Sequence, residues 1–223
     1  MSRTAMQSEA TAEGLRLTIK LVFYGPALSG KTTNLMQLHD RLQPQRKGEL
    51  MILETKDDRT LFFDMLPIGL RQSNGLDIRL KLFTVPGQVQ HDSTRKAVMS
   101  RADGVIFVAD SDPVQQDNNA AAFDNLADNL QKLGMSIENL PLVVQFNKRD
   151  LAAAVPEATL QEIWRDTPWS PLVMATALRG EGVVETFERL LERLYGGLDD
   201  EFALATKYGL DKTGFVEQLS RSE

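Results

Sequence analysis

A chain of 223 residues with 42% hydrophobic and 25% charged residues has the balance of a soluble globular protein, most simply one domain with extensions and a substantial core. It contains no cysteine, which excludes disulfides and thiolate metal sites and suits a reducing compartment. A net charge of −6 argues against broad nucleic-acid binding, no apolar run reaches membrane-span length, and 1–14 lacks the apolar segment of a signal peptide, so a cytoplasmic location is expected.

Residues 1–14 are polar and read as a flexible leader. The apolar run 15–24 predicts a strand, and Gly25-Pro26-Ala27-Leu28-Ser29-Gly30-Lys31-Thr32 then fits G-x-x-x-x-G-K-[ST]. A loop of this kind turns backbone N–H groups toward phosphate oxygens at the positive end of a helix. Gly25, Leu28, Ser29, Gly30, Lys31, Thr32 and Thr33 are therefore candidate nucleotide ligands, with Lys31 for the terminal phosphates and the Thr32 hydroxyl for Mg²⁺. The helix that follows carries Leu35, Leu38 and Leu42 on one face, and 43–58, polar with Pro44 and Gly48, reads mostly as loop.

Apolar-rich runs at 61–68 and 76–85 around Ser73-Asn74-Gly75 predict a hairpin. The continuous apolar run 104–109 predicts a central strand buried on both faces. Asp112-Pro113 looks like a cap and first-turn proline for a helix that carries Phe123, Leu126, Leu130 and Leu133 and stops at Gly134. Strands at 142–146 and 172–175, a helix at 157–165, and a helix with a stripe from Val183 to Leu194 ending at Gly196-Gly197 complete the pattern. Alternating strands and helices around one hairpin predict a three-layer α/β fold with a mostly parallel sheet, and each reactive loop falls at a strand's C-terminal end, where ligands bind in such sheets.

Asn147-Lys148-Arg149-Asp150 follows the strand 142–146 and matches N-K-x-D, the guanine-reading motif of GTPases. The Asp150 carboxylate would accept from the ring N–H and the exocyclic amine of guanine, a pairing adenine does not offer, worth discrimination of roughly 10⁴. Lys148 would lie over the ring and Asn147 would brace the loops; the structural alternative is a polar turn. Thr84-Val85-Pro86-Gly87-Gln88 occupies the place of D-x-x-G, with Gly87 for the γ-phosphate and Gln88 for the attacking water, but Thr84 stands where Asp is usual. Asp64 is the candidate replacement carboxylate, or else a solvated strand residue. Ala177 and Leu178, in Thr176-Ala177-Leu178, resemble the S-A-K loop that supports guanine, or form a plain turn. The isolated His39 and His91, without cysteine or a carboxylate cluster, do not suggest a transition-metal site.

With these segments in order the chain resembles the Ras-like small GTPases, and more closely the bacterial mutual gliding protein A (MglA) family. The resemblance is carried over about 15–197 by the phosphate loop, Arg46-Lys47-Gly48-Glu49, Asp58-Arg59-Thr60-Leu61-Phe62-Phe63-Asp64, Thr84-Val85-Pro86-Gly87-Gln88 and Asn147-Lys148-Arg149-Asp150-Leu151. It implies a Ras-like fold with a six-stranded, mostly parallel sheet and one antiparallel strand in a switch hairpin. It also implies that Thr60 coordinates Mg²⁺, that Arg59 is an intrinsic arginine finger, that Gln88 orients water, and that Asp64 compensates for the altered D-x-x-G. The expected ligands are GTP and GDP with Mg²⁺. The implied partners are a roadblock-fold activator resembling MglB and effectors of the GTP state, with polarity or surface motility as the process and recruitment to cell poles by partners.

The expectation is a leader at 1–14, a GTPase domain at 15–197 and a C-terminal extension at 198–223 of short amphipathic helices or partly disordered chain. The functional expectation is a switch that hydrolyses GTP slowly until a partner orders its loops. The alternatives are a nucleotide-gated scaffold with negligible hydrolysis, which Thr84 favours, and an ATP-using P-loop kinase, which Asp150 opposes.

Overall fold

The computed structural model describes residues 7–11, 14–43, 47–54, 62–86 and 92–221. Its sheet is built on β2 (Gly14–Tyr24), which lies between β5 (Leu76–Thr84) and β6 (Gly104–Asp110), both parallel to it. Beyond β6 come β7 (Leu142–Asn147) and β8 (Val173–Met174), again parallel. Beyond β5, β4 (Phe62–Arg71) runs antiparallel through the hairpin, with Met65 opposite Phe83 and Arg71 opposite Asp77. These six strands form the expected Ras-like sheet with one antiparallel member.

Two short strands extend it. β3 (Met51–Glu54) adds to the outer edge of β4, inside the stretch read from sequence as loop. β1 (Gln7–Thr11) pairs antiparallel with 14–18 of β2, so these residues are not part of a flexible leader. The register explains why there is room: β6 joins β2 only from Leu21 onward, which leaves the first half of β2 with a free edge that β1 fills.

Helices cover both faces. On one, α1 (Lys31–Arg41) and α5 (Val183–Phe202) close a core in which Leu35, Leu38, Phe187, Leu190 and Leu194 meet the inward side chains Leu17, Ile19, Leu21 and Phe23 of β2. On the other, α2 (Asp92–Met99), α3 (Gln116–Lys132) and α4 (Glu157–Trp164) pack over Val22, Val105 and Phe107, with Phe123 in edge-to-face contact with Phe107, Trp164 and Trp169. The alternation along β2 sends successive side chains to opposite cores, which is why an apolar strand needs helices on both sides.

The helix expected to stop at Gly196-Gly197 runs five residues further, to Phe202. Two helical glycines cost about 1 kcal/mol each relative to alanine. Leu194 and Leu198, one turn apart and both buried, offset that by keeping the apolar face in the core. After a left-handed residue at Ala203, α6 (Leu204–Tyr208) and α7 (Lys212–Ser220) turn back onto the domain. Leu204, Leu210, Phe215 and Leu219 join the first core, so the last helices are integral to it. No helix among the described residues is long and apolar enough to cross a membrane.

Candidate nucleotide-binding site

The phosphate loop leaves β2 at Gly25 and enters α1 at Lys31. Two of its glycines are dictated by contact. A Cβ on Gly25, at φ +142, would lie 2.2 Å from the carbonyl oxygen of Val108; one on Gly30, at φ +100, would lie 2.2 Å from Nδ2 of Asn147. The left-handed step at the loop's tip falls on Leu28, at φ 61 and 88% exposed, rather than on Ala27. An exposed leucine in that conformation is a strained, open tip of the kind found at ligand clamps. Ser29 is fully buried and its Oγ makes no hydrogen bond among the described residues.

Lys31 turns back into the loop, and its Nζ donates to the carbonyls of Gly25 (3.0 Å) and Pro26 (2.6 Å). Burial, and secondarily the positive charge of Arg95, bring its pKa down to about 7. Thr32, on the first turn of α1, is exposed, so its hydroxyl is open to solvent. The helix behind it is held by a buried network: Gln145 Nε2 donates to Asn34 Oδ1 (2.8 Å) and Thr186 Oγ1 (2.7 Å), and Asn34 Nδ2 donates to the Gly30 carbonyl (3.0 Å). This ties α1 to β7 and α5 through groups that would be costly to leave unpaired.

The guanine-motif residues sit at the adjoining strand end. Asn147 closes β7; its Nδ2 donates to the carbonyl of Ser29 and its Oδ1 accepts from the N–H of Ala177, both at 2.8 Å. One side chain thus joins the phosphate loop, the 147–150 turn and the short 3₁₀ turn Ala177–Arg179. Lys148 takes a left-handed conformation at φ 66, Arg149 N–H donates to the Ala175 carbonyl, and Asp150 is exposed at the rim. Leu178 is 75% exposed beside them. Thr84 is buried at the end of β5, opposite Phe23 of β2.

The sequence pattern of the ADP-ribosylation factor family (Arf) matches residues 6–194. The mutual gliding-motility protein MglA of Myxococcus xanthus (strain DK1622) is 41% identical over 174 residues, which cover 77% of this chain and 88% of that protein. The chain belongs to the MglA family of Ras-like small GTPases. A more distant likeness, 26% identity over 179 residues, links it to elongation factor 4 of Desulforudis audaxviator (strain MP104C), covering 78% of this chain and 26% of that protein.

For this MglA-family chain, three of the sequence-predicted segments are brought together: the phosphate loop, Asn147 to Asp150, and Ala177-Leu178. Arg59, Thr60, Gly87 and Gln88 lie outside the described residues. Asp64 lies on β4 opposite Ile52 of β3, and its side chain lies outside what is described. Two further residues at the site were not picked out from sequence. Asp110, at the end of β6, pairs with Lys148 Nζ at 2.5 Å, and its other oxygen accepts from the Asp112 N–H. The pairing of Asp110 with Asn147 across β6 and β7 places it there, a neighbour relation that only sheet register reveals. Arg95 of α2 is the other; with Pro26, Leu28, Asn125 and Lys148 it lines a cavity of about 820 Å³ between the phosphate loop and α3.

The donor set fits Mg²⁺. This hard ion takes oxygen ligands and commonly keeps waters, using one or two protein groups together with phosphate oxygens. Of the residues expected to hold it, Thr32 is the one whose side chain is described, and its exposed hydroxyl is an oxygen of this kind.

Proposed function

We propose that this chain is a guanine-nucleotide switch that hydrolyses GTP slowly and signals through its GTP form. The observation that carries this reading is the double hydrogen bond of Asn147, which supports one continuous site for phosphates, at Gly25 to Thr33, and for a guanine base, at Lys148, Asp150, Ala177 and Leu178. Asp150 reads the base from the rim, and Lys148 flanks it while paired to Asp110. Lys31 exchanges the Gly25 and Pro26 carbonyls for the terminal phosphates. Thr32, with Thr60 and Asp64, would hold Mg²⁺, which would supply positive charge against the nucleotide's phosphates.

In the same reading Gly87 contacts the γ-phosphate, Gln88 orients the attacking water, and Arg59 neutralises charge on the transferring group. Loss of the γ-phosphate releases the segments around Thr60 and Gly87, which is the switch. A roadblock-fold partner resembling MglB that orders Arg59 and Gln88 would raise the rate by roughly 10³ to 10⁵. The likeness to a mutual gliding-motility protein supports a part in surface motility or polarity, in the cytoplasm and recruited to cell poles by partners. The test is competition of ATP against bound GTP, with single-turnover phosphate release measured alone and with a roadblock partner. Strong preference for GTP and stimulated release are expected; equal affinity for ATP sinks the guanine assignment.

A nucleotide-gated scaffold is the second reading. The buried Thr84 favours it, because a hydroxyl there lacks the charge by which the usual aspartate orders the metal's water. GTP binding without phosphate release in either arm of the same experiment selects it.

A further inference from the structure

Lys148 is fixed at both ends. Its backbone takes the left-handed conformation at φ 66, which a residue other than glycine adopts only under constraint, and its carbonyl accepts from the Leu151 N–H at 3.2 Å. Its Nζ pairs with Oδ2 of Asp110 at 2.5 Å. Asp110 is itself held against turning away. Its Oδ1 accepts from the Asp112 N–H at 3.0 Å. Asn119 of α3 binds the Asp110 backbone twice: Oδ1 accepts from its N–H and Nδ2 donates to its carbonyl, both at 2.9 Å. The Asp110 side chain is 5% exposed, against 35% for Lys148. Sheet register sets Asp110 opposite Asn147, and the next N–H, of Ser111, donates to the Asn147 carbonyl at 2.9 Å.

Two physical points give this arrangement a purpose. A lysine stem carries several freely rotating bonds, and laying it across a base costs that freedom. Where backbone and ammonium are both tethered, most of the loss is met before the base arrives, which is preorganisation. The second point is charge. A buried carboxylate repels a phosphate-bearing ligand unless a cation accompanies it, and removing one member of a buried pair leaves the other uncompensated. Asp110 and Lys148 therefore work as one unit, and neither can be altered without changing what the other does.

We propose that Asp110 is a positioning residue for the nucleotide base: it holds the Lys148 ammonium, so that the hydrocarbon stem is set to cover the base, and Asn119 extends that support to α3. This rests on the guanine reading above. Asp110 acts through Lys148 and makes no assigned contact with the nucleotide.

The test is a double-mutant cycle on nucleotide affinity, with wild type, Asp110→Asn, Lys148→Met and the double variant. Asp110→Asn keeps an oxygen for the Asp112 N–H and removes the charge that holds Lys148. Competition against a fluorescent GDP analogue is measured with GDP, inosine diphosphate and inorganic tripolyphosphate. Asp110→Asn should weaken GDP about 10- to 100-fold, the scale of coupled neighbours. Inosine diphosphate should weaken by the same factor, because the stem covers both bases alike. Tripolyphosphate, which has no base, should stay within about threefold of wild type. In the Lys148→Met background the same Asp110→Asn change should cost less than about twofold, or restore some affinity by removing the unpaired carboxylate. An equal loss in both backgrounds overturns the proposal, since Asp110 would then not act through Lys148. So does unchanged GDP affinity, or a loss shared equally by tripolyphosphate, which is the signature of a merely structural role. Should Asp110→Asn fail to fold, Asn119→Ala replaces it in the cycle, with a GDP loss of about 3- to 10-fold expected and the same criteria applied. If wild type binds ATP as tightly as GTP, the guanine reading fails, and the cycle run with ADP still decides whether Asp110 positions Lys148.

Discussion

Asn147 and Ser29 are 118 residues apart in sequence, yet Nδ2 of the first donates to the carbonyl of the second at 2.8 Å inside the protein. With Oδ1 receiving the Ala177 N–H, this side chain satisfies two buried backbone groups that no other described bond serves. Asn147→Ala leaves both unpaired, at about 1–3 kcal/mol each. Urea unfolding should show a loss of about 2–4 kcal/mol, with GDP and GTP weakened alike because both phosphate and base loops slacken. A loss below ~0.5 kcal/mol would mean that water replaces the amide, and that the two halves of the site are joined by other contacts.

Asp150 is exposed at the end of the turn that Asn147 begins, so changing it should leave stability nearly untouched. Asp150→Asn replaces an acceptor-only carboxylate with an amide that presents one donor and one acceptor. Guanine then loses a partner for one of its two donors, while xanthine, with an oxygen in place of the exocyclic amine, gains one. Competition binding should show guanosine nucleotides weakened at least about 100-fold and xanthosine nucleotides preferred. Retention of guanine preference would remove Asp150 from the site.

Lys31 carries opposite demands from folding and from binding. Its pKa in the folded chain is about 7, lowered first by burial and then by Arg95, against roughly 10.4 in an unfolded chain. Between those values the unfolded chain holds a proton that the folded chain has released, so this group's contribution to stability rises with pH across the window. Below about pH 7 the folded protein carries the buried cation and its full penalty. Lys31→Met should therefore stabilise the nucleotide-free protein by about 1–2 kcal/mol at pH 6, with the gain fading above pH 10. Binding runs the other way, because phosphates require the cation. Wild-type nucleotide affinity should fall about fivefold from pH 7 to pH 8, as the protonated fraction drops from about a half to a tenth. Lys31→Met should bind too weakly for this slope to be measured.

What was legible in the sequence and what was not divides by how local the chemistry is. Gly25 to Thr32 and Asn147 to Asp150 are contiguous and sit at strand ends, so residue type and order suffice to read them. Asp110 and Arg95 reach the site only through register and helix packing: Asp110 because β6 lies beside β7, Arg95 because α2 folds over Tyr24. Neither has a spacing relative to a motif that would mark it. β1 was missed because Gln7-Ser8-Glu9-Ala10-Thr11 has little intrinsic strand preference, and its pairing comes from the open edge of β2. The helix end at Gly196-Gly197 was misplaced because propensity is a weak prior against a buried Leu198.

Asp103, at the turn into β6, should make stability depend on pH in the acid range. Burial raises its pKa to about 6, opposed by the hydrogen bond from the Lys20 N–H (2.7 Å) and by the Lys20 charge, and Glu201 adds to the rise. Below the ordinary value near 3.9 the carboxyl is neutral in both states and exerts no penalty; above about 6 it is charged in both and the penalty is full. Asp103→Asn keeps an oxygen for the Lys20 N–H and removes the charge. Thermal unfolding should show no benefit at pH 3.5 and a gain of about 1–2 kcal/mol at pH 7.5, growing between pH 4 and 6. A benefit independent of pH would show that packing, rather than ionisation, separates the two side chains.

The C-terminal helices offer the plainest contrast between a sequence pattern and its physical outcome. Phe215 is fully buried, its ring 5.6 Å from that of Tyr195, whose hydroxyl donates to the Leu210 carbonyl at 2.9 Å. The same segment grips the hairpin: Asn74 Nδ2 donates to the Tyr208 carbonyl at 2.7 Å, and Gln72 Nε2 to Gln218 Oε1 at 3.2 Å. Removing a buried phenyl costs about 3–5 kcal/mol, because the cavity refills only in part. In a domain of this size that corresponds to a melting temperature lower by roughly 6–20 °C. An appendage bound loosely to the surface would instead tolerate Phe215→Ala within about 0.5 kcal/mol. The two outcomes differ so widely that one melting curve tells them apart, and the burial of Leu204, Leu210, Phe215 and Leu219 beneath the β4–β5 hairpin makes the large loss the expected one.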